Sequence, residues 1–261
     1  MKLAIEIKNI YKEYSLGAVN HKSFQKDFQL YLNKVFQAIG LNYSNNKFQQ
    51  INEKILALKN LSLNIEKGKK IGLLGKNGSG KSTLLKIISG ITAPTIGEVY
   101  LTGRVSSLLE VGVGFHGELT GRENIYLSGS IMGIKKNHID DFVTEIIEFS
   151  EIHKYIDTPV KRYSSGMIVK LGFAVSTIFE SEILIVDEVL AVGDKNFRKK
   201  AMDKMLKICE KGNQTVLFVS HNMDMIKEFC EQCVVLEKGE LVYFGDTNNA
   251  LNVYDSLQSS I

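Results

Sequence analysis

The fold is decided by the stretch KIGLLGKNGSGKSTLLKIISG, residues 70–90. Its first part, KIGLLG, is typical of a short buried strand, and a helix is predicted after the glycine-rich loop that follows. A glycine loop between a strand and a helix is the arrangement of a phosphate-binding loop. The stretch therefore predicts an α/β protein that binds a nucleoside triphosphate.

The loop matches the pattern G-x-x-x-x-G-K-[ST] with Gly75, Gly80, Lys81 and Ser82. Glycines let the backbone curl until several N–H groups point at phosphate oxygens, while Lys81 reaches the β- and γ-phosphates and Ser82 offers its hydroxyl to Mg²⁺. GSGKST lacks the last glycine of a dinucleotide-binding fingerprint, so that alternative fails. The residues expected to bind nucleotide here are Gly75, Lys76, Asn77, Gly78, Ser79, Gly80, Lys81, Ser82 and Thr83.

Two further apolar strands end in polar residues: EILIVDE in Asp187 and Glu188, and TVLFVSH in His221. Because ligands bind at the carboxyl edge of a parallel sheet, all three side chains are expected there. Asp187 would hold Mg²⁺, Glu188 would act as general base, and His221 would hydrogen-bond the γ-phosphate. Taken alone, these residues are better explained as an acidic turn and a structural histidine. Beside the glycine loop, Lys81, Glu188 and His221 are the predicted catalytic set.

Another anion site is suggested by YSSGM, residues 163–167, at the start of a half-buried helix. Ser164 or Ser165 could simply cap that helix by accepting a hydrogen bond from a free backbone N–H group. The free N–H groups and the positive end of the helix dipole also attract a phosphate. The five residues by themselves leave both interpretations open.

Composition and charge argue against several classes of protein. The 261 residues carry 32 basic and 29 acidic side chains, and a net charge of +3 leaves no strong electrostatic footprint for nucleic acid. No apolar stretch approaches the ~20 residues of a membrane span. Cys209, Cys230 and Cys233 lack the spacing of a zinc site and are expected to pack, in a reducing, cytoplasmic setting.

The rest of the chain alternates strands and helices. Short apolar strands between helices predict a parallel or mixed sheet covered on both faces, with a mainly helical subdomain at about residues 121–181. The segment from about residue 20 to residue 50 looks like an insertion into the domain. From His21 to Ile39 apolar residues recur at intervals of three and four, which predicts a helix that either packs on its own domain or docks a partner.

Taken together and in this order, GKNGSGKST, YSSGM, ILIVDE and His221 resemble the motifs of an ATP-binding cassette (ABC) ATPase. More narrowly, YSSGMIVKLGFAVS, DEVLAVGDKNFRKK and LLEVGVGFHGELTGRENI resemble the ATP-binding subunits of bacterial O-antigen, capsule or teichoic acid exporters. The resemblance runs from about Ile5 to Tyr254. It implies one ABC domain over residues 1–261, with a P-loop NTPase core, an antiparallel β subdomain and the helical subdomain, and no C-terminal carbohydrate-binding domain.

The resemblance also implies a composite site. In this family two copies face each other head to tail, and each ATP lies between the glycine loop of one copy and the signature helix of the other. The signature residues Ser164, Ser165 and Gly166 would therefore contact the partner's nucleotide. Tyr14 matches the aromatic residue that stacks on adenine, or is merely a strand-end tyrosine. Asp194 matches the position through which the two sites communicate.

Two departures from the family pattern stand out. The general signature LSGGQ is changed at Tyr163, Ser165 and Met167, and Ser165 adds a side chain where a close backbone approach is expected. The loop that usually contributes a glutamine to the metal site has none in SSLLEVGVGFHGEL, where Glu110 is the nearest candidate by position.

On this resemblance the chain is expected to hydrolyse ATP with Mg²⁺ and to power export of a lipid-linked polysaccharide through a separate permease. It would act at the cytoplasmic face of the bacterial inner membrane and meet the glycan only indirectly. Two other classes stay open: an ABC ATPase acting on ribosomes or nucleic acid, and a scaffold that binds nucleotide without hydrolysis. A single cassette without coiled-coil arms or a basic stretch disfavours the former, and Glu188 with His221 disfavours the latter.

Overall fold

The computed structural model describes residues 2–15, 54–108, 114–186, 194–220 and 222–259. The chain divides into two compact units, one formed by Met1–Lys12 with Ala57–Ile261 and the other by Glu13–Leu56. In the second unit, Lys54 Nζ lies 2.9 Å from Glu13 Oε2. The predicted insertion helix from His21 to Ile39 lies outside the described residues.

A small sheet contains the strands β1 (Leu3–Ser15), β2 (Lys54–Glu66) and β4 (Ile96–Leu101), in the order β2-β1-β4. Strands β1 and β4 are antiparallel, with Ile7 opposite Val99. This sheet is the predicted antiparallel β subdomain.

A larger sheet has the order β5-β6-β7-β3-β8-β9. Its strands are β3 (Lys70–Gly75), β5 (Val105–Ser107), β6 (Ile183–Val186), β7 (Thr215–Phe218), β8 (Gln232–Glu237) and β9 (Glu240–Asp246). Neighbouring strands are parallel from β5 to β8, whereas β9 returns antiparallel to β8. The turn between them uses Lys238 and Gly239 at φ +49° and +86°, the left-handed conformation that a two-residue hairpin of this kind requires. The predicted mixed sheet is confirmed.

Strand β6, ILIV, is apolar and buried throughout because both faces of the sheet are covered there. In β6, Ile183 and Ile185 belong to a core that includes the small sheet, while Leu184 and Val186 belong to a core on the opposite face. The side chains alternate between faces along a strand, so a continuous apolar run fills both cores.

The helices of the described ranges are α1 (Lys81–Ile88), α2 (Gly121–Ile131), α3 (Lys136–Ser150), α4 (Ser165–Ile178), α5 (Lys195–Lys211), α6 (Met223–Phe229) and α7 (Thr247–Ser259). Helices α2, α3 and α4 share an apolar core that contains Ile125, Ile146 and Leu171. They match the expected helical block. Within the ranges described, none of the helices is long and apolar enough to cross a membrane.

Candidate nucleotide-binding site

Three strands of the larger sheet end at the same edge. The pairing aligns Gly72 of β3 with Phe218 of β7, and Phe218 in turn with Val186 of β6. Strands β6 and β7 end at these residues, and β3 ends nearby at Gly75. In a parallel sheet the carboxyl ends of the strands form the edge where ligands bind, so the fold directs three chain segments to one site.

The predicted catalytic residues continue from these strand ends. Asp187 and Glu188 directly follow Val186, and His221 comes shortly after Phe218. Asp187, Glu188 and His221 lie outside the described residues, as does Glu110. Their roles stay predictions, although the strands that lead to them do end at the glycine loop's edge of the sheet.

The glycine loop, residues 76–80, joins β3 to α1, and neither the last residue of β3, Gly75, nor the last residue of the loop, Gly80, has room for a side chain. A Cβ atom at Gly75 would lie 2.5 Å from the carbonyl oxygen of Leu236. At Gly80 the Cβ would lie 2.8 Å from the carbonyl oxygen of Ala57, and φ is +105°. Gly80 precedes α1 without a side-chain cap, and the first turn has no acidic residue. The free N–H groups of that turn therefore form an anion site.

Polar side chains complete this site. Lys81 Nζ donates to the carbonyl oxygens of Gly75 at 2.5 Å and Lys76 at 3.0 Å, which holds a positive charge on the loop. Ser82 is exposed on the first turn of α1. Ser79 is only 3% exposed and its hydroxyl lacks a hydrogen-bond partner within the described chain. A glycine cradle, an ammonium group and an unsatisfied hydroxyl fit a polyanionic ligand such as a triphosphate.

The side chain of Lys76 leads away from the cradle. Its ammonium group donates to the carbonyl oxygen of Leu257 in α7 at 2.5 Å, and a cavity of about 340 Å³ lies beside this contact. The cavity is lined by loop residues, by Glu237 and Lys238, and by Leu257. Sequence reasoning placed Lys76 in the nucleotide loop but did not anticipate that its ammonium group bonds to a helix near the end of the chain.

The YSSGM segment begins α4. Ser164 is the N-cap, and its hydroxyl accepts a hydrogen bond from the N–H of Met167 at 3.2 Å. Tyr163 is buried, with its hydroxyl donating to the carbonyl oxygen of Tyr155 at 2.7 Å. Ser164 and Ser165 are exposed. The capping interpretation is thus confirmed, and the role of this helix end towards a partner's phosphate stays a prediction.

Asp194 is the N-cap of α5. One carboxylate oxygen accepts hydrogen bonds from the N–H groups of Asn196 at 3.0 Å and Phe197 at 2.9 Å, and the other accepts from Lys170 Nζ at 2.7 Å. The Lys170 ammonium above all, and then these backbone donors, lower the pKa of Asp194 to about 2. Sequence reasoning missed Lys170. The available signal was a single charge within the apolar run MIVKLGFAV.

Two other predictions concern Tyr14 and the cysteines. Tyr14 is 41% exposed and lies in the unit Glu13–Leu56, so its contact with adenine stays a prediction. Cys230 and Cys233 are buried against Gly72, where a Cβ atom would lie 2.7 Å from Cys233 Sγ. Burial raises the pKa of both thiols. The predicted packing role is confirmed, and no cluster of metal-binding side chains occurs in the described stretches.

Comparison with known families gives one matching model, described as ABC transporter, over residues 58–191. The O-antigen export system ATP-binding protein RfbB of Klebsiella pneumoniae is 40% identical over 97% of this chain and 98% of its own length. The teichoic acids export ATP-binding protein TagH of Enterococcus faecalis is 40% identical over 97% of this chain, which spans 52% of that longer protein.

Solved structures share the fold. A dimeric ATP-binding cassette in a post-hydrolysis state, bound to ADP and Pi, superimposes with a TM-score of 0.68 at 22% identity, covering 93% of this chain and 98% of that chain. An ATP-binding subunit of an ABC transporter gives a TM-score of 0.71 at 17% identity, covering 97% of this chain and 93% of that chain.

Proposed function

Since the chain belongs to the ABC transporter family, we propose that it is the ATP-hydrolysing subunit of an exporter that moves a polysaccharide across the bacterial inner membrane. A separate permease would form the path. The single observation that carries ATP as the substrate is the glycine loop, where Gly75 and Gly80 admit no Cβ and the helix that follows begins without a side-chain cap. The names of the relatives in O-antigen and teichoic acid export support a polysaccharide as the cargo.

In the proposed assembly two copies meet head to tail, and each ATP lies between the glycine loop of one and the YSSGM end of α4 in the other. The exposure of Ser164 and Ser165 supports this arrangement. The cap at Ser164 uses the N–H of Met167, while the first N–H groups of the helix have no intrahelical acceptor and are available to a phosphate. Structures of dimeric cassettes with the same fold support the pairing of two copies.

Within each site, the residues of the chain have separate tasks. Lys81 would bind the β- and γ-phosphates, and Glu188 would take a proton from the attacking water. His221 would hydrogen-bond the γ-phosphate. Ser82 and Asp187 would hold Mg²⁺, which neutralises charge on the phosphates when bound.

The membrane location would follow from the permease. The relatives named as ATP-binding proteins of export systems support attachment through a membrane partner on the cytoplasmic face. The glycan itself would contact the permease, and this subunit would meet it only indirectly.

The proposal is tested in the native host with the gene replaced by a Lys81→Ala variant. We expect surface polysaccharide to be lost and its lipid-linked form to accumulate inside the cell, because the permease lacks its ATPase. Lys86→Ala is the matched control, since Lys86 is an exposed lysine on the last turn of the same helix. It should leave export unchanged.

Assays of the purified wild-type chain separate the alternative functions. Turnover by the wild-type chain that RNA or DNA stimulates, combined with normal surface polysaccharide in the Lys81→Ala strain, would contradict export and favour a nucleic-acid ATPase. Binding of ATP by the wild-type chain without any turnover in the presence of Mg²⁺ and the permease would favour a scaffold.

A further inference from the structure

Lys170 occupies an unusual position in the signature helix α4. Its side chain is only 16% exposed, and its ammonium group lies 2.7 Å from Asp194 Oδ2 and 2.9 Å from Glu151 Oε2. One lysine therefore joins the signature helix to the start of α5 and to the end of α3. A partly buried ammonium group between two carboxylates is held more firmly than an exposed surface ion pair.

Each carboxylate is itself fixed by other bonds. Asp194 caps α5 through its second oxygen, so its position is set by that helix end. Glu151 sits at φ +60° just past the end of α3, and its second oxygen accepts from Lys200 at 3.3 Å. Both partners of Lys170 are therefore anchored independently of it.

An aromatic cluster holds the three helices around this lysine. Phe149 of α3, Phe173 of α4 and Phe197 of α5 have ring centroids 5.8–5.9 Å apart. The Lys170 ammonium lies 5.1 Å from the centroid of the Phe197 ring, a distance that permits a cation–π contact. The lysine stem is thus packed, and the ammonium has few positions to occupy other than the one between the carboxylates.

We propose that Lys170 is a positioning residue for the composite nucleotide site, holding Asp194 at a set distance from the YSSGM end of the same chain. Asp194 and the YSSGM end would then shift together when the dimer closes on ATP. This inference rests on the proposed function, because it needs a head-to-tail dimer. Lys170 itself would not touch nucleotide.

The variant Lys170→Met separates this positioning role from a purely structural one. Replacing Lys170 by methionine keeps the packed stem but removes the ammonium group. The cap of α5 survives, since Asp194 accepts from Asn196 and Phe197 through its other oxygen. The variant should therefore fold, with the distance between α4 and Asp194 no longer held.

A matched control lies in the same cluster. Lys204 has a 24% exposed side chain, pairs with Glu145 at 3.2 Å, and lies 6.0 Å from the centroid of the Phe149 ring. It resembles Lys170 in burial and chemistry, but its ion pair and its ring contact are both with residues of α3. Lys204→Met therefore reports the cost of removing an ion pair that holds helices together, without affecting the Asp194 contact.

The experiment compares Lys170→Met, Lys170→Arg and Lys204→Met in thermal unfolding, ATP affinity of the isolated chain, and steady-state ATPase kinetics. We expect Lys170→Met to bind ATP within about twofold of wild type, while kcat falls roughly 10- to 100-fold, as misplacement of a site by about 1 Å does. Its Hill coefficient should fall towards unity. Lys170→Arg, which restores the charge, should recover most of the turnover, and Lys204→Met should retain it.

A double variant tests whether Lys170 acts through Asp194. Lys170→Met combined with Asp194→Asn should lose no more turnover than the more damaged single variant, because both break one contact. A loss equal to the product of the two single losses would overturn the proposal, as would equal turnover in Lys170→Met and Lys204→Met. If the wild-type chain neither dimerises with ATP nor hydrolyses it cooperatively, the proposed head-to-tail dimer is wrong. If the wild-type chain does both and only the Lys170 variants behave differently from the expectation, the dimer stands and the role of Lys170 is wrong.

Discussion

The most direct test of the composite site is the variant Ser164→Arg. Ser164 is exposed, so the longer side chain has room in the isolated chain. The change removes the capping hydrogen bond that the Ser164 hydroxyl accepts from the N–H of Met167, a loss of about 1 kcal/mol in the free energy of unfolding. For a chain of this size that lowers the melting temperature by roughly 2–4 °C. The variant should therefore remain folded and bind ATP at its own glycine loop.

Turnover should change far more than stability. In the dimer, Ser164 would donate to the partner's γ-phosphate, and a hydrogen bond to a charged group contributes about 1.5–3 kcal/mol. Ser164→Ala removes the hydroxyl alone, so its turnover should fall roughly 10- to 100-fold at 1.4 kcal/mol per factor of ten. Ser164→Arg adds bulk at the interface and should abolish ATP-driven dimerisation and turnover.

The assay measures melting temperature, ATP affinity of the isolated chain, the ATP-dependent shift to dimer in light scattering, and turnover. Ser164→Ala is the control, because it loses the same cap as Ser164→Arg without blocking the interface. Equal loss of ATP binding and dimerisation in Ser164→Arg would refute the reasoning, since this helix end would then serve the nucleotide of its own chain.

Three further variants test separate parts of the site. Gly80→Ala should destabilise the chain by about 1–3 kcal/mol and weaken ATP binding, because φ is +105° and its Cβ would lie 2.8 Å from the carbonyl oxygen of Ala57. Denaturant unfolding measures the stability and nucleotide titration measures the affinity. Unchanged values of both would contradict the expected backbone strain. Glu188→Gln should keep ATP affinity while turnover falls by about 10²-fold or more, and turnover at the wild-type rate would exclude Glu188 as general base. Because its contacts depress the pKa of Asp194 to about 2, this carboxylate stabilises the fold above the pKa of the unfolded chain and loses that effect as pH falls towards 2. The stability advantage of the wild type over Asp194→Asn should thus shrink between about pH 5 and pH 2, and a constant difference would argue against the ion pair.

Local features of the site were predictable from the sequence because local chemistry produces them. The loop between Gly75 and Lys81 needs glycines for its backbone turn, and the apolar strand ILIV needs cover on both faces. The cap at Ser164 depends on a hydroxyl next to the first turn of its own helix. Each of these features involves residues a few positions apart, so a pattern in one sequence is enough to find them.

The order of the strands was less accessible. The short edge strand β5 and the antiparallel β9 carry weak patterns, since Val105–Ser107 has three residues and Glu240–Asp246 is largely exposed or half-buried. Their places are decided by pairing with β6 and β8, which are distant in sequence or reached through a turn. Periodicity identifies strands that are buried on one or both faces, and it says little about the partners that they choose.

The amino-acid sequence by itself determined the phosphate-binding loop, the apolar strand that leads to Asp187 and Glu188, and the capped helix at YSSGM, because each depends on neighbouring residues. Only the tertiary structure decided the partners of Lys170, which lie 24 and 19 positions away at Asp194 and Glu151. The same holds for Lys76, whose ammonium group bonds to Leu257, 181 positions along the chain. Such contacts follow from how helices pack on a sheet, and packing is set by the sum of many weak interactions across the whole fold.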